Sequence, residues 1–212
     1  MDKTSKDLPS FICFGPQSRP PTPEYLTYLR QCINEDDHLK PLKDAIYALP
    51  HTWKLYIEHS PQLLTTAGKT SLDLLWNWLQ TGDSPWKEQC PPGVLTTPLL
   101  VIVQSVQYVK YLEINHISHE NLLQSVAVGG VHGYCGGFLC AAAVATASRL
   151  QDAVENFCTA LRVSVGIGAY SDLVDANDDG KPNTLALRLK DERDADALAA
   201  EFPNVSHLQP EL

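Results

Sequence analysis

Residues 125–145 read S-V-A-V-G-G-V-H-G-Y-C-G-G-F-L-C-A-A-A-V-A, and this stretch limits the fold more tightly than any other. The run S-V-A-V-G-G-V fits a central strand, apolar on both faces as a covered parallel strand is. The run F-L-C-A-A-A-V-A-T-A-S-R-L is an alanine-rich helix that can pack closely on a neighbour. Between them lies G-Y-C-G-G, Gly133 to Gly137. Strand, G-x-C-x-G, helix is the arrangement of a nucleophile elbow. So tight a turn strains the backbone of its central residue and requires small neighbours. It lifts the side chain of Cys135 clear of the sheet. The following helix aims its unpaired N–H groups and the positive end of its dipole at the sulfur. The same N–H groups suit the oxyanion of acyl transfer. The structural alternative is a close crossing of helix and strand, with Cys135 as buried filler. Cys140, five residues on, is expected to face the core.

Ahead of the elbow the chain reads as mostly helical. Phe11 to Phe14 fit a short buried strand ending at Gly15-Pro16. The stretch T-P-E-Y-L through I-Y-A-L-P carries Tyr25, Leu26, Leu29, Cys32, Ile33, Leu42, Ile46 and Leu49 at helical spacing, with a break before Pro41. T-S-L-D-L-L-W-N-W-L-Q-T-G is a helix capped by Thr70 or Ser71 and closed by Gly82. T-T-P-L-L-V-I-V-Q-S-V-Q-Y-V-K-Y-L-E-I-N is expected to be a helix capped by Thr97, with Pro98 at its first position and nearly every face apolar. After the elbow a long amphipathic helix covers L-Q-D-A-V through S-D-L-V. The composition then changes, and T-L-A-L-R-L-K, E-R-D-A-D-A-L-A-A-E-F and V-S-H-L-Q suggest a small β-α-β tail from about residue 175.

The 212 residues, 44% of them apolar, can build a real core. A net charge of −9 argues against nucleic acid or an anionic membrane surface as partner. No apolar run is long enough to span a bilayer. The polar N-terminus M-D-K-T-S-K-D-L-P-S has no apolar stretch behind it, which points to the cytoplasm. Cys13, Cys32, Cys90, Cys135, Cys140 and Cys158 form no C-x-x-C pair and are expected to be reduced thiols. Asp175, Asn177, Asp179 and Gly180 imitate a calcium loop, but Ala186 stands where a bidentate glutamate is needed, so no metal is expected. Of the histidines, His132 precedes the elbow and is expected to point elsewhere. His116 and His119 are expected to be solvated, and His207 alone follows the nucleophile.

G-Y-C-G-G-F-L-C-A-A-A-V-A-T-A resembles the cysteine elbow of the starter-unit:acyl-carrier-protein transacylase (SAT) domain, which opens fungal non-reducing polyketide synthases. F-I-C-F-G-P-Q is similar to the family's opening strand and its F-G-x-Q segment. T-T-P-L-L-V-I-V-Q is similar to the long acyltransferase helix with a buried glutamine. The resemblance implies an α/β, acyltransferase-like (FabD-like) three-layer domain over residues 1–174. It also implies part of a small ferredoxin-like subdomain over residues 175–212. The large domain is expected to be incomplete. The chain ends at Leu212, before the segment that supplies the family's catalytic histidine, and His207 lies in the wrong segment to be it.

By the same resemblance Cys135 is the nucleophile, and the N–H of Gly136 and the side chain of Gln17 hold the oxyanion. Gln104 supports them from behind, with a hydrogen-bonded core glutamine as the alternative. Arg162 falls where related acyltransferases hold a substrate carboxylate, a role this family does not generally need. The implied substrate is an acyl group on coenzyme A or phosphopantetheine, with no bound cofactor. The implied partners are an acyl carrier protein and other polyketide or fatty acid synthase components. Two other functions fit the residues. One is an inactive SAT-like module that docks a carrier protein or synthase. The other is a cysteine α/β-hydrolase with Asp172 or Asp175 and His207 as partners, which needs several parallel strands before the elbow.

Overall fold

The computed structural model describes residues 10–16, 21–85, 91–175 and residue 200. The element order is β1 (Ile12–Phe14), α1 (Pro23–Glu35), α2 (Lys40–Tyr47), α3 (Leu49–His59), α4 (Gly68–Thr81), α5 (Gly93–Asn115), α6 (His119–Ser125), β2 (Val131–Gly133), α7 (Gly137–Ala145) and α8 (Leu150–Asp175). It is a mostly helical α/β arrangement with a two-stranded parallel sheet. The expected small subdomain falls on residues outside the described ones, as do His207 and the calcium-like residues after Asp175.

The helices follow local rules where local rules apply. Thr22 caps α1 by accepting from the Tyr25 N–H at 3.2 Å, and Pro23 occupies the first turn, where no N–H is needed. The face Leu26, Leu29, Cys32, Ile33 is buried. Gly82, at φ 90°, closes α4 in the left-handed region as the sequence predicts. The N-terminus of α4 lies earlier than expected, at Gly68. Ser71 is buried inside the helix and does not cap it.

The largest departure is α5, which starts at Gly93 with Pro98 inside it, against an expected start at Thr97. No side chain near Gly93 caps it. The cap is Asp172 on α8, whose carboxylate accepts from the N–H groups of Gly93 at 2.6 Å and Val94 at 2.9 Å. Gly168 permits the approach, since a Cβ there would drive into the Gly93 carbonyl. The two long helices run antiparallel. The start of α5 meets the end of α8 here, and Tyr108 meets Phe157 near the other ends, ring centroids 5.9 Å apart. Asp172→Ala is expected to cost about 1–2 kcal/mol by removing this cap, read by thermal denaturation. Burial pushes the Asp172 carboxyl above its ordinary range, against the two N–H donors. Its contribution is complete below the ordinary carboxylate value and declines as pH rises through the raised one. The alanine variant is expected to lose that part of the pH dependence.

One histidine expectation is corrected. His119 is not solvated but 1% exposed. Ser118 caps α6 and sets His119 in its first turn, facing the core. The Tyr108 hydroxyl donates to Nδ1 at 2.7 Å, and Nε2–H donates to the Ala147 carbonyl at 3.2 Å. A carbonyl can only accept, so the proton sits on Nε2. Tyr108→Phe leaves a buried acceptor without a donor and is expected to cost about 1–3 kcal/mol.

The second strand also lies later than expected. Residues 126–129 form a turn, and pairing is confined to Val131–Gly133, in register Ile12↔Val131, Cys13↔His132 and Phe14↔Gly133. Gly129 passes so close to the Ser10 carbonyl that a Cβ would clash, and Gly130 takes φ 80°. These two glycines bend the chain into the strand rather than belonging to it.

Candidate active site

The elbow forms where β2 ends. The Tyr134 N–H donates to the Phe14 carbonyl at 2.9 Å, extending the sheet by one bond. The chain then reverses. The Gly137 N–H donates to Tyr134 and the Phe138 N–H to Cys135, both at 3.0 Å. Cys135 sits at the apex, exposed, with φ 53°. Among the described residues one other non-glycine has positive φ, His116, the left-handed cap of α5. Cys135 caps nothing. A left-handed non-glycine costs about 1–2 kcal/mol, and such strain persists where surrounding structure enforces it.

The surroundings do enforce it. A Cβ on Gly133 would drive into the main chain of Phe138. One on Gly137 would drive into the Phe14 carbonyl and lie 2.8 Å from that of Gly15, and one on Gly136 would lie 2.6 Å from Leu100 Cδ2 on α5. The glycines of G-x-C-G-G are thus dictated by β1, α5 and α7 closing on the turn. Cys135 is not buried filler.

The amides around the thiol are mostly engaged. Those of Tyr134, Gly137, Phe138 and Leu139 bond to Phe14, Tyr134, Cys135 and Gly136. The N–H of Gly136, the residue after the thiol, is bonded by none of the described residues. Gln104 on α5 is 7% exposed and donates from Nε2 to the Gly15 carbonyl at 2.5 Å, while its Oε1 is buried without a partner among the described residues. It ties α5 to the end of β1, where the chain turns toward Gln17. Gln17 itself lies outside the described residues. A cavity of about 340 Å³ borders Gln104, Gly15, Phe11, Tyr108 and Tyr111, and Cys135 does not line it.

None of the described histidines hydrogen-bonds Cys135. His132 turns back to the Gly129 carbonyl and packs edge-on against Phe11, as expected of a residue pointing away. Arg162 lies on the exposed side of α8, its carbonyl accepting from the Tyr56 hydroxyl at 3.1 Å. Asp172, the first acid of the hydrolase alternative, is occupied as the cap of α5.

Cys140 is buried, as expected, and burial pushes its thiol up to about 12. Burial likewise pushes Cys158 up to about 11. At neutral pH neither supplies appreciable thiolate. Iodoacetamide is therefore expected to alkylate Cys135 in the folded chain and to spare Cys140 and Cys158 until denaturant is added. Peptide mapping checks this and separates Cys135 from the exposed Cys13. No local pattern marks the two exposed aromatic residues that flank the thiol in the chain, Tyr134 and Phe138. Only the packed elbow shows that they face outward.

The family model described as "Starter unit:ACP transacylase in aflatoxin biosynthesis" matches residues 62–210, more than half of the chain. The chain belongs to this family. Among its relatives is the non-reducing polyketide synthase ascC of Acremonium egyptiacum, 35% identical over 200 residues, covering 94% of this chain and 10% of the synthase. Another is the non-reducing polyketide synthase atr1 of Stereocaulon alpinum, 34% identical over 206 residues, covering 96% and 8%. The 5-methylorsellinic acid synthase of Aspergillus terreus is 33% identical over 174 residues, covering 81% and 7%. The chain thus spans about a tenth or less of the length of these relatives. The residues that the family model matches include the elbow. No helix among the described residues is long and apolar enough to cross a membrane.

Proposed function

We propose that the chain transfers a starter acyl group between thioesters through Cys135. The observation that supports this most is the exposed thiol held at φ 53° at the end of a parallel strand. The sulfur attacks the carbonyl of an acyl thioester on coenzyme A or on a donor carrier. A C–S bond forms to Cys135, the donor C–S bond breaks, and the departing thiol takes the proton that Cys135 loses. The phosphopantetheine thiol of an acyl carrier protein then attacks in the same way and restores Cys135. Both steps exchange one thioester for another, so the intermediate is not a trap. No bound cofactor is required.

The unengaged N–H of Gly136 is the oxyanion donor in this reading, with Gln17 as the second. Gln104 acts behind them by holding the Gly15 carbonyl, which fixes the start of the segment that carries Gln17. Gln104→Leu is therefore expected to slow acyl loading several-fold while the rate of Cys135 alkylation stays unchanged. Residues 1–174 form an incomplete large domain of the transacylase module in this reading, and residues 175–212 are part of its small subdomain.

One observation favours a second reading, a module that docks a carrier protein or synthase without turnover. Cys135 has no hydrogen-bonded histidine among the described residues, and general-base help is worth roughly 10²–10⁴ in rate. Intact-protein mass spectrometry after mixing with a panel of acyl-CoAs separates the two. Acyl transfer gives an adduct of the acyl mass on Cys135. Folded protein with no adduct from any donor overturns the first reading in favour of the second.

A further inference from the structure

Helix α7 buries Gly137, Cys140, Ala141, Ala143 and Val144, yet Phe138 in its first turn is 65% exposed. Its main chain is fixed on two sides. The Phe138 N–H donates to the Cys135 carbonyl, and the backbone of Gly133 abuts its Cα. Side chains on a helix tilt toward its N-terminus. The ring of Phe138 therefore leans over the turn that precedes it, and that turn is the elbow. Tyr134, 57% exposed, adjoins the thiol on the other side. Residues 121–148 contain no Asp, Glu, Lys or Arg, so the segment that carries the thiol and both exposed aromatic side chains is itself uncharged. The Phe138 ring is not part of the core face of α7, which is made of Gly137, Cys140, Ala141, Ala143 and Val144.

We propose that Phe138 is a specificity-determining residue for acyl transfer, its ring being the surface on which an apolar acyl chain lies while Cys135 attacks the carbonyl. This rests on the acyl-transfer reading above. The uncharged flank suits an alkyl chain, and each methylene it covers favours the longer donor by roughly fourfold. The side chain at position 138 thereby sets the preference among chain lengths.

The test is competition between acetyl-CoA and hexanoyl-CoA for the 212-residue chain, read as the ratio of the two adducts on Cys135 by intact-protein mass spectrometry. Phe138→Ala is expected to lower the hexanoyl-to-acetyl ratio roughly tenfold or more, and Phe138→Leu to lower it less. Alkylation of Cys135 by iodoacetamide is expected to be equal in all three proteins, which a merely structural Phe138 would not ensure. If the alanine variant does not fold, the leucine variant carries the test. An unchanged or raised ratio with loading intact overturns the proposal and leaves the acyl-transfer reading standing. No adduct in the unaltered folded chain from these two donors or any other of the acyl-CoA panel overturns that reading and this proposal with it.

Discussion

Cys135→Ala is expected to abolish acyl loading altogether, with no residual adduct at any donor concentration that saturates the unaltered chain. The other described thiols cannot substitute. Cys140 and Cys158 are buried with their thiols pushed up, Cys32 is buried in α1, and Cys13 lies on β1, away from the elbow apex. Stability gives an independent check on the geometry. Alanine keeps a Cβ at φ 53°, so Cys135→Ala is expected to unfold within about 0.5 kcal/mol of the unaltered chain, as an exposed substitution should. Cys135→Gly removes the left-handed penalty and is expected to be about 1 kcal/mol more stable than Cys135→Ala. A chain stabilised by losing its cysteine holds that cysteine at a cost, which is the mark of a functional position. Equal stability of the glycine and alanine variants would show that the turn is not strained as described.

Phe157→Ala is expected to destabilise the fold by about 3–5 kcal/mol, the range for a large aromatic lost from a core. In a chain of this size that lowers the unfolding midpoint by roughly 10 °C. Phe157 is fully buried on α8 and meets Tyr108 edge-on. Tyr108 in turn faces Phe14 at 6.1 Å and His119 at 5.8 Å. Removing Phe157 leaves a void beneath the ring that supports β1, and β1 supplies the carbonyl oxygens against which the elbow closes. Loading is therefore expected to fall with stability in this variant. The coupling can be tested directly. Tyr108 and Phe157 are in direct contact, so the effects of Tyr108→Phe and Phe157→Ala are expected not to add. A strictly additive double variant would mean that Tyr108 rests on something other than Phe157.

The elbow was legible because its chemistry is local. Gly133, Gly136 and Gly137 around Cys135 can be read in order along five residues, and the backbone reversal they allow needs no distant partner to be recognised. The long helix α8 was equally legible, its apolar periodicity running unbroken from Leu150 to Val174. The start of α5 was not. Thr97-Pro98 carries every local mark of a helix start, yet the helix begins at Gly93, because Asp172 supplies the missing acceptor from 79 residues away. His119 misled for a similar reason. In sequence it sits in a polar stretch, but Tyr108 and Ala147 come from other elements to satisfy both ring nitrogens.

The sequence by itself determined the cysteine elbow, the glycines around it and the family to which the chain belongs, since each depends on which residues are adjacent. Tertiary structure alone decided which polar groups are satisfied: Asp172 at the start of α5, Gln104 at Gly15, His119 between Tyr108 and Ala147. It also decided that Phe138 and Tyr134 face outward beside the thiol. A hydrogen bond or an exposed ring depends on what lies opposite in space, and the pairing of α5 with α8 that sets those neighbours is made by residues far apart in the chain.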